Sequence, residues 1–324
     1  LEHSQVFVTA SIGITVFPGD STDQASLLNN ADIAMYRAKE GGRNNYQFYT
    51  PELHVRARAM LSMEAELRRA LDSDEFVLHY QPRVNLSTGR ITGVEALLRW
   101  RHPERGLVQP AEFMPLMEET GLVIRAGEWV LKSVCQQIKA WEMAGIAGVP
   151  VAINLSARQF LVPDLAGVIQ RELDAHQVRS ALVEVEFVEN ALMKDAEEAV
   201  IKLGFLRNLG VQSTVDDFGT GYSSLGYLKR FPLRALKIDR SLVRGITTDA
   251  DDAIVTHAMI AMAHNLNLKV IAEGVETQDQ LNFLERSGCD EVQGYLYARA
   301  VCAEECGALI SAGEIKPGLG ALLT

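Results

Sequence analysis

Residues 215–225, VDDFGTGYSSL, end an apolar run with two adjacent carboxylates, Asp216 and Asp217, followed by glycines at 219 and 221. Two like charges at the mouth of a buried strand repel each other and resist desolvation, so they require a cation or a helix N-terminus nearby. The same kind of intrusion recurs along the chain. Glu95 stands in TGVEALLRW, Asn154 in VPVAINLS, Glu186 in LVEVEFVE, Lys237 in RALKID, Glu273 in LKVIAEG and Gln293 in DEVQGYL. Strands buried on both faces read as near-continuous apolar runs, so packing does not explain these residues. Glu95, Glu186, Asp216, Asp217 and Glu273, with the Asn154 amide oxygen, make a hard-oxygen donor set. It suits Mg2+ or Mn2+ better than Zn2+, which favours histidine and cysteine. With a contiguous aspartate pair able to bridge, two ions fit it better than one. Lys237 could snorkel to the surface, but its inward phase among acids suits orienting a metal-held water or neutralising a developing oxyanion. Any one of these residues could be a hydrogen-bonded polar group in a structural barrel; their occurrence at seven strand ends favours a site.

Those residues need a scaffold that brings strand ends to one rim. Eight strand-like segments are present: HYQPRV, TGVEALLRW, VPVAINLS, LVEVEFVE, VQSTVDD, RALKID, LKVIAEG and DEVQGYL. After the second they alternate with helical segments such as residues 126–145 and 251–266. This is the pattern of a (β/α)8 barrel, whose active sites assemble at the C-terminal strand ends. The first two strands are joined only by NLSTG, too short for a crossover helix. The expected fold is therefore α/β, a modified TIM barrel with one antiparallel strand. Period-two alternation turns Glu184, Glu186 and Asn154 inward and puts Glu95 and Arg99 on one face. Asp216 and Asp217 would point to opposite sides of an ideal strand. Both reach one site only if the strand ends there, a turn that Gly219 and Gly221 permit.

Upstream, residues 5–15 read as a strand and residues 21–42 as a helix with a capping box from Ser21 to Gln24 and a close at Gly41 and Gly42. A strand-like YQFY follows. Residues 1–50 are too short for an independent core and read as the end of a domain. Residues 51–73 read as a linker helix opened by Pro51, with an apolar stripe through Leu53, Ala57, Met60 and Leu67. Residues 74–315 form the barrel and 316–324 a tail. The chain has 324 residues, 48% hydrophobic, and its 31 basic against 42 acidic residues give a net charge of −11. That balance argues against a nucleic-acid polymer as partner, while a small anion held through metals is compatible with it. Cys135, Cys289, Cys302 and Cys306 lack paired metal-ligand spacing and read as reduced structural thiols. No apolar run reaches the roughly 18 residues of a membrane span, and the N-terminus lacks the features of a signal peptide. The expectation is a cytoplasmic piece with no membrane contact of its own, whose full-length parent could still be anchored.

Residues 75–312 closely resemble the EAL domain, the bacterial cyclic di-GMP phosphodiesterase, through YQP, EALLRW, INLS, VEVEFVE, DDFGTGYSSL, LKIDRS, AEGVET and QGYL. FVTASIGITVFPGD and NNADIAMYRAKEGGRNNYQFYT resemble the last third of a GGDEF domain, without the stretch that carries its signature, so no cyclase activity is expected. The resemblance implies that Glu95, Asn154, Glu186 and Asp216 are metal ligands and Asp217 the bridging aspartate. It makes Glu273 a ligand or general base, and has Lys237 and Gln293 orient water and metal. It further implies that Gln81 and Arg99 contact substrate, that Glu189 braces the loop after Asp217, and that the protein is a homodimer. The implied reaction is two-metal hydrolysis of cyclic di-GMP to linear pGpG, with Ca2+ expected to occupy the site yet inhibit. The alternative is a catalytically idle EAL domain serving as a cyclic di-GMP receptor. Such relatives typically lose metal ligands, and none is lost here. Two departures stand out: Val188 and Asn190 replace hydroxyl residues beside Glu189, and Ala298, Arg299 and Ala300 replace a serine-arginine-proline run.

Overall fold

The computed structural model describes residues 8–146, 148–219 and 225–318. Residues 5–7 of the first expected strand, Gly221 and residues 319–324 of the tail lie outside them. The chain divides into two compact units, residues 1–69 and 70–324.

In the first unit, β1 (Ile12–Ile14) pairs in parallel with β2 (Tyr46–Phe48). The helix Gln24–Glu40 crosses them so closely that a Cβ on Gly13 would stand 1.9 Å from the Ala31 carbonyl oxygen. Its cap differs from the expected box of Ser21 and Gln24. Asp23 is the N-cap, its carboxylate accepting from the Ser26 amide at 2.8 Å, while Ser21 Oγ accepts from the Asp23 amide at 3.0 Å. A charged acceptor at the positive end of the helix outcompetes the neutral hydroxyl two residues earlier. The helix Pro51–Ala70 follows, with proline at the position where a missing amide hydrogen costs nothing.

The second unit is a closed barrel. β3 (Phe76–Asn85) and β4 (Ile91–His102) form the expected hairpin. Then come β5 (Gly106–Val108), β6 (Val151–Leu155), β7 (Val183–Val188), β8 (Gln212–Phe218), β9 (Ala235–Ile238), β10 (Lys269–Glu273) and β11 (Glu291–Gln293). The order is β3-β11-β10-β9-β8-β7-β6-β4-β5, and the β3–β4 pairing closes the ring. β3 runs antiparallel to both its neighbours, and the other ring contacts are parallel. The ninth strand, β5, was not expected: it is a three-residue return that pairs Val108 with Trp100 outside the ring. Helices pack their apolar faces on the ring; Leu122–Met143, for example, buries Val130, Leu131, Val134 and Ile138. Among the described residues no helix is long and apolar enough to cross a membrane.

Candidate active site

Alternation along each strand decides what faces the barrel axis, and register decides at what height. Gln81 pairs with Glu95 across the hairpin, Asn154 lies level with Glu186, and Glu273 lies level with Gln293. The side chains meet accordingly. Asn154 Nδ2 donates to Glu95 Oε1 at 2.5 Å, and Gln293 Nε2 donates to Glu95 Oε2 at 2.6 Å and to Gln81 Oε1 at 3.1 Å. Gln81 Nε2 in turn donates to the Ala298 carbonyl at 3.0 Å. Lys237 sits at the centre with no exposed surface. Its Nζ is 2.5 Å from Glu273, 2.6 Å from Glu186, 3.3 Å from Glu95 and 3.5 Å from Asp216.

The aspartate pair converges by a route that the sequence reading had otherwise. The strand does not end between Asp216 and Asp217; β8 runs on to Phe218. Thr214 and Val215 pair with Ala235 and Leu236, and Phe218 pairs with Ile238, so Asp216 and Asp217 together oppose Lys237 alone. This is a β-bulge, with Asp217 in the left-handed region at φ 53°. The extra residue brings both acids to the same side. One carboxylate oxygen from each of Asp216, Asp217 and Glu273 lies within 4.8 Å of the others. Gly219 follows at φ 101°.

The electrostatics are those of an acid cluster held by one ammonium. Burial opposes the charge on Lys237, but Glu186, Glu273, Glu95 and Asp216 outweigh it and hold the lysine well above its ordinary value. Burial pushes Glu186 well above the carboxylate range, with Lys237 opposing and Glu95 and Asp216 adding. Asp216 is raised for the same reasons. Burial, then repulsion from Asp216 and Glu95, takes Glu273 up to about 8 despite Lys237. Burial, Asp216 and Asp239 take Asp217 up to about 6. Glu95 goes the other way: burial is outweighed by Lys237 and by the Asn154 and Gln293 amides. Five carboxylates around one ammonium leave a surplus of negative charge that a hard divalent cation would offset. The donor set fits Mg2+ or Mn2+: carboxylates and an amide, with Asn154 exposed toward the barrel mouth.

The remaining expected residues fall farther out. Arg99 lies toward the rim, four residues beyond Glu95 on β4, and donates to the Leu98 carbonyl at 2.8 Å. Glu189 is buried and opens the short helix Glu189–Met193. Residues 220–224 of the loop it was expected to brace lie outside the described residues. The sequence turns Glu184 inward but gives no sign of the charged floor it forms beneath the site with Arg83, Arg234 and Glu291. Arg83 Nη2 is 2.6 Å from Glu184 and Arg83 Nε is 2.7 Å from Glu291, with Arg234 2.9 Å from both glutamates. The alternation that turns Glu186 inward places this floor two residues deeper on each strand.

A closed α/β barrel with an acid cluster at its C-terminal mouth defines a protein class built to hold hard cations. The chain belongs to the EAL domain family, whose model matches residues 64–300. The diguanylate cyclase, GGDEF domain matches residues 1–45. The bifunctional diguanylate cyclase/cyclic di-GMP phosphodiesterase MucR of Pseudomonas aeruginosa is 44% identical over 305 residues, 94% of this chain and 44% of that protein. The cyclic di-GMP phosphodiesterase PdeR of Escherichia coli is 39% identical over 92% of this chain and 45% of its own length. This chain thus spans less than half the length of these curated relatives. A solved MucR phosphodiesterase in complex with c-di-GMP superposes with a TM-score of 0.74 at 44% identity, covering 76% of this chain and 99% of that one.

Proposed function

We propose that this chain hydrolyses cyclic di-GMP to linear pGpG. The observation that carries this reading is the convergence of Glu95, Asn154, Glu186, Asp216, Asp217 and Glu273 around Lys237 at the barrel mouth. Family membership and the nucleotide in the MucR complex supply the substrate class.

Glu95, Asn154, Glu186, Asp216, Asp217 and Glu273 would together hold two divalent cations, with Asp217 the aspartate shared between them. When bound, the cations lower the pKa of water and offset charge on the phosphoryl group. The protein's own groups supply the rest. Glu273 is placed to take the proton of the attacking water on a carboxylate oxygen, and Lys237 Nζ, 2.5 Å away, stabilises the ionised form that accepts it. Water oxygen bonds to phosphorus, the bond from phosphorus to the ribose 3′ oxygen breaks, and that oxygen takes a proton from solvent while Glu273 returns its own to solvent, so that protons and charge balance. Gln293 and Gln81 hold Glu95 and the Ala298 carbonyl in one hydrogen-bonded chain, and Arg99 at the rim would receive the dinucleotide.

Turnover should appear with Mg2+ or Mn2+ and fall away with Ca2+, whose looser coordination fits the same oxygens without the required geometry. Incubation with each cation, followed by nucleotide chromatography, tests this. Equal rates on cyclic di-GMP and a chromogenic diester would overturn the substrate assignment.

A further inference from the structure

Beneath the acid cluster the barrel carries a second charged layer. Alternation puts Arg83 two residues deeper than Gln81, Glu184 below Glu186, and Glu291 below Gln293. Arg83, Glu184 and Glu291 are at most 2% exposed. Arg83 faces three carboxylates: Nη2 donates to Glu184 at 2.6 Å, Nε lies 2.7 Å from Glu291, and Nη1 lies 3.9 Å from Glu186 in the layer above, close enough to act through charge but not to hydrogen-bond. Arg234 closes the ring at 2.9 Å from both Glu184 and Glu291, and Lys269 stands 3.6 Å from Glu291. The barrel makes room for the guanidinium. Gly93 is level with Arg83 in the hairpin, and a Cβ there would stand 2.6 Å from Arg83 Nη2.

A barrel interior is ordinarily filled by branched apolar side chains. Taking arginines and glutamates out of water to fill it is a poor route to stability. A layer built this way, in contact with Glu186, is suited to holding that carboxylate. We propose that Arg83 is a positioning residue for the metal site: held by Glu184 and Glu291, its guanidinium charge draws Glu186 to the height where it meets Lys237 and a cation. The proposal rests on the reading of the upper layer as a divalent-cation centre. Lysine cannot reproduce it, because one ammonium cannot face three carboxylates in the fixed directions of a guanidinium.

The test is Mn2+ binding without nucleotide, followed through the free-ion signal in electron paramagnetic resonance for the wild-type chain and Arg83→Lys, with thermal melting as the check on folding. Partners that orient metal ligands are typically worth about ten- to a hundredfold in metal affinity. Folded Arg83→Lys should therefore bind Mn2+ more weakly by about that factor. Its turnover should recover at saturating Mn2+. Wild-type affinity in the folded variant would overturn the proposal. Should Arg83→Lys not fold, Glu291→Gln removes one anchor while leaving Arg83 in place; a loss of affinity there supports the proposal and unchanged affinity overturns it. A wild-type chain that binds Mn2+ but leaves cyclic di-GMP intact would sink the phosphodiesterase reading and leave the role of Arg83 standing. A wild-type chain that binds no Mn2+ would overturn both.

Discussion

At Asp217 the backbone adopts φ 53°, a region that aspartate tolerates better than most residues because its short side chain bonds locally. The cost is modest, and it places two carboxylates opposite one lysine. The acids themselves were legible in VDDFG, and so was the demand for a counter-charge. The bulge was not, because a period of two assigns faces only while no residue is inserted. Two predictions belong at this scale. Asp216→Asn removes a carboxylate from the proposed cation site and should cost several kcal/mol of transition-state stabilisation, about a thousandfold in turnover; steady-state rates at saturating Mg2+ check it. The second concerns pH. Asp217 and Glu273 titrate at about 6 and about 8 in the fold, above their ordinary 3.8 and 4.5. Raised acids bind more protons in the folded state, so their contribution to stability is complete below the ordinary values and is lost as pH rises through the folded ones. In the presence of a chelator the melting temperature should therefore fall between pH 5 and pH 8. Cations compete with those same protons, so Mn2+ affinity should rise over that interval. Affinity that is flat with pH would contradict both values.

At the scale of elements, the eight ring strands and the hairpin between β3 and β4 could be read from hydrophobic runs and a five-residue connection. β5 could not, since three residues, GLV, carry no periodic signal and are held only by pairing with β4. Ser21 and Gln24 have capping-box spacing, but the stronger acceptor, Asp23, stands between them and takes the cap. Of the charged floor, alternation shows Glu184 inward, but its pairing with Arg83 and Glu291 joins three strands far apart in sequence and carries no local signal. Close packing over that floor makes a direct prediction. Gly93→Ala would drive a methyl group to 2.6 Å from Arg83 and 3.1 Å from the Pro150 carbonyl. Overpacking of this kind costs about 1–3 kcal/mol, to be measured by denaturant unfolding. An unchanged midpoint would mean that Arg83 moves freely.

For the whole molecule, a net charge of −11 and an acid-lined mouth give a field that favours cations over anions. A cation that binds the folded chain and not the unfolded one must stabilise it, by about 2.7 kcal/mol at a hundred times its dissociation constant. Mn2+ should accordingly raise the melting temperature of the wild-type chain and raise that of Asp216→Asn much less. Equal shifts would place the ion elsewhere. Barrel, acid cluster and family all follow from motifs in one chain; whether the cluster turns substrate over is a question of rate. Cyclic di-GMP incubated with the wild-type chain and Mg2+, and resolved by chromatography, answers it directly. Conversion to pGpG by the wild type and next to none by Asp216→Asn is the expected result. Cyclic di-GMP tightly bound yet intact after hours with the wild-type chain would contradict it.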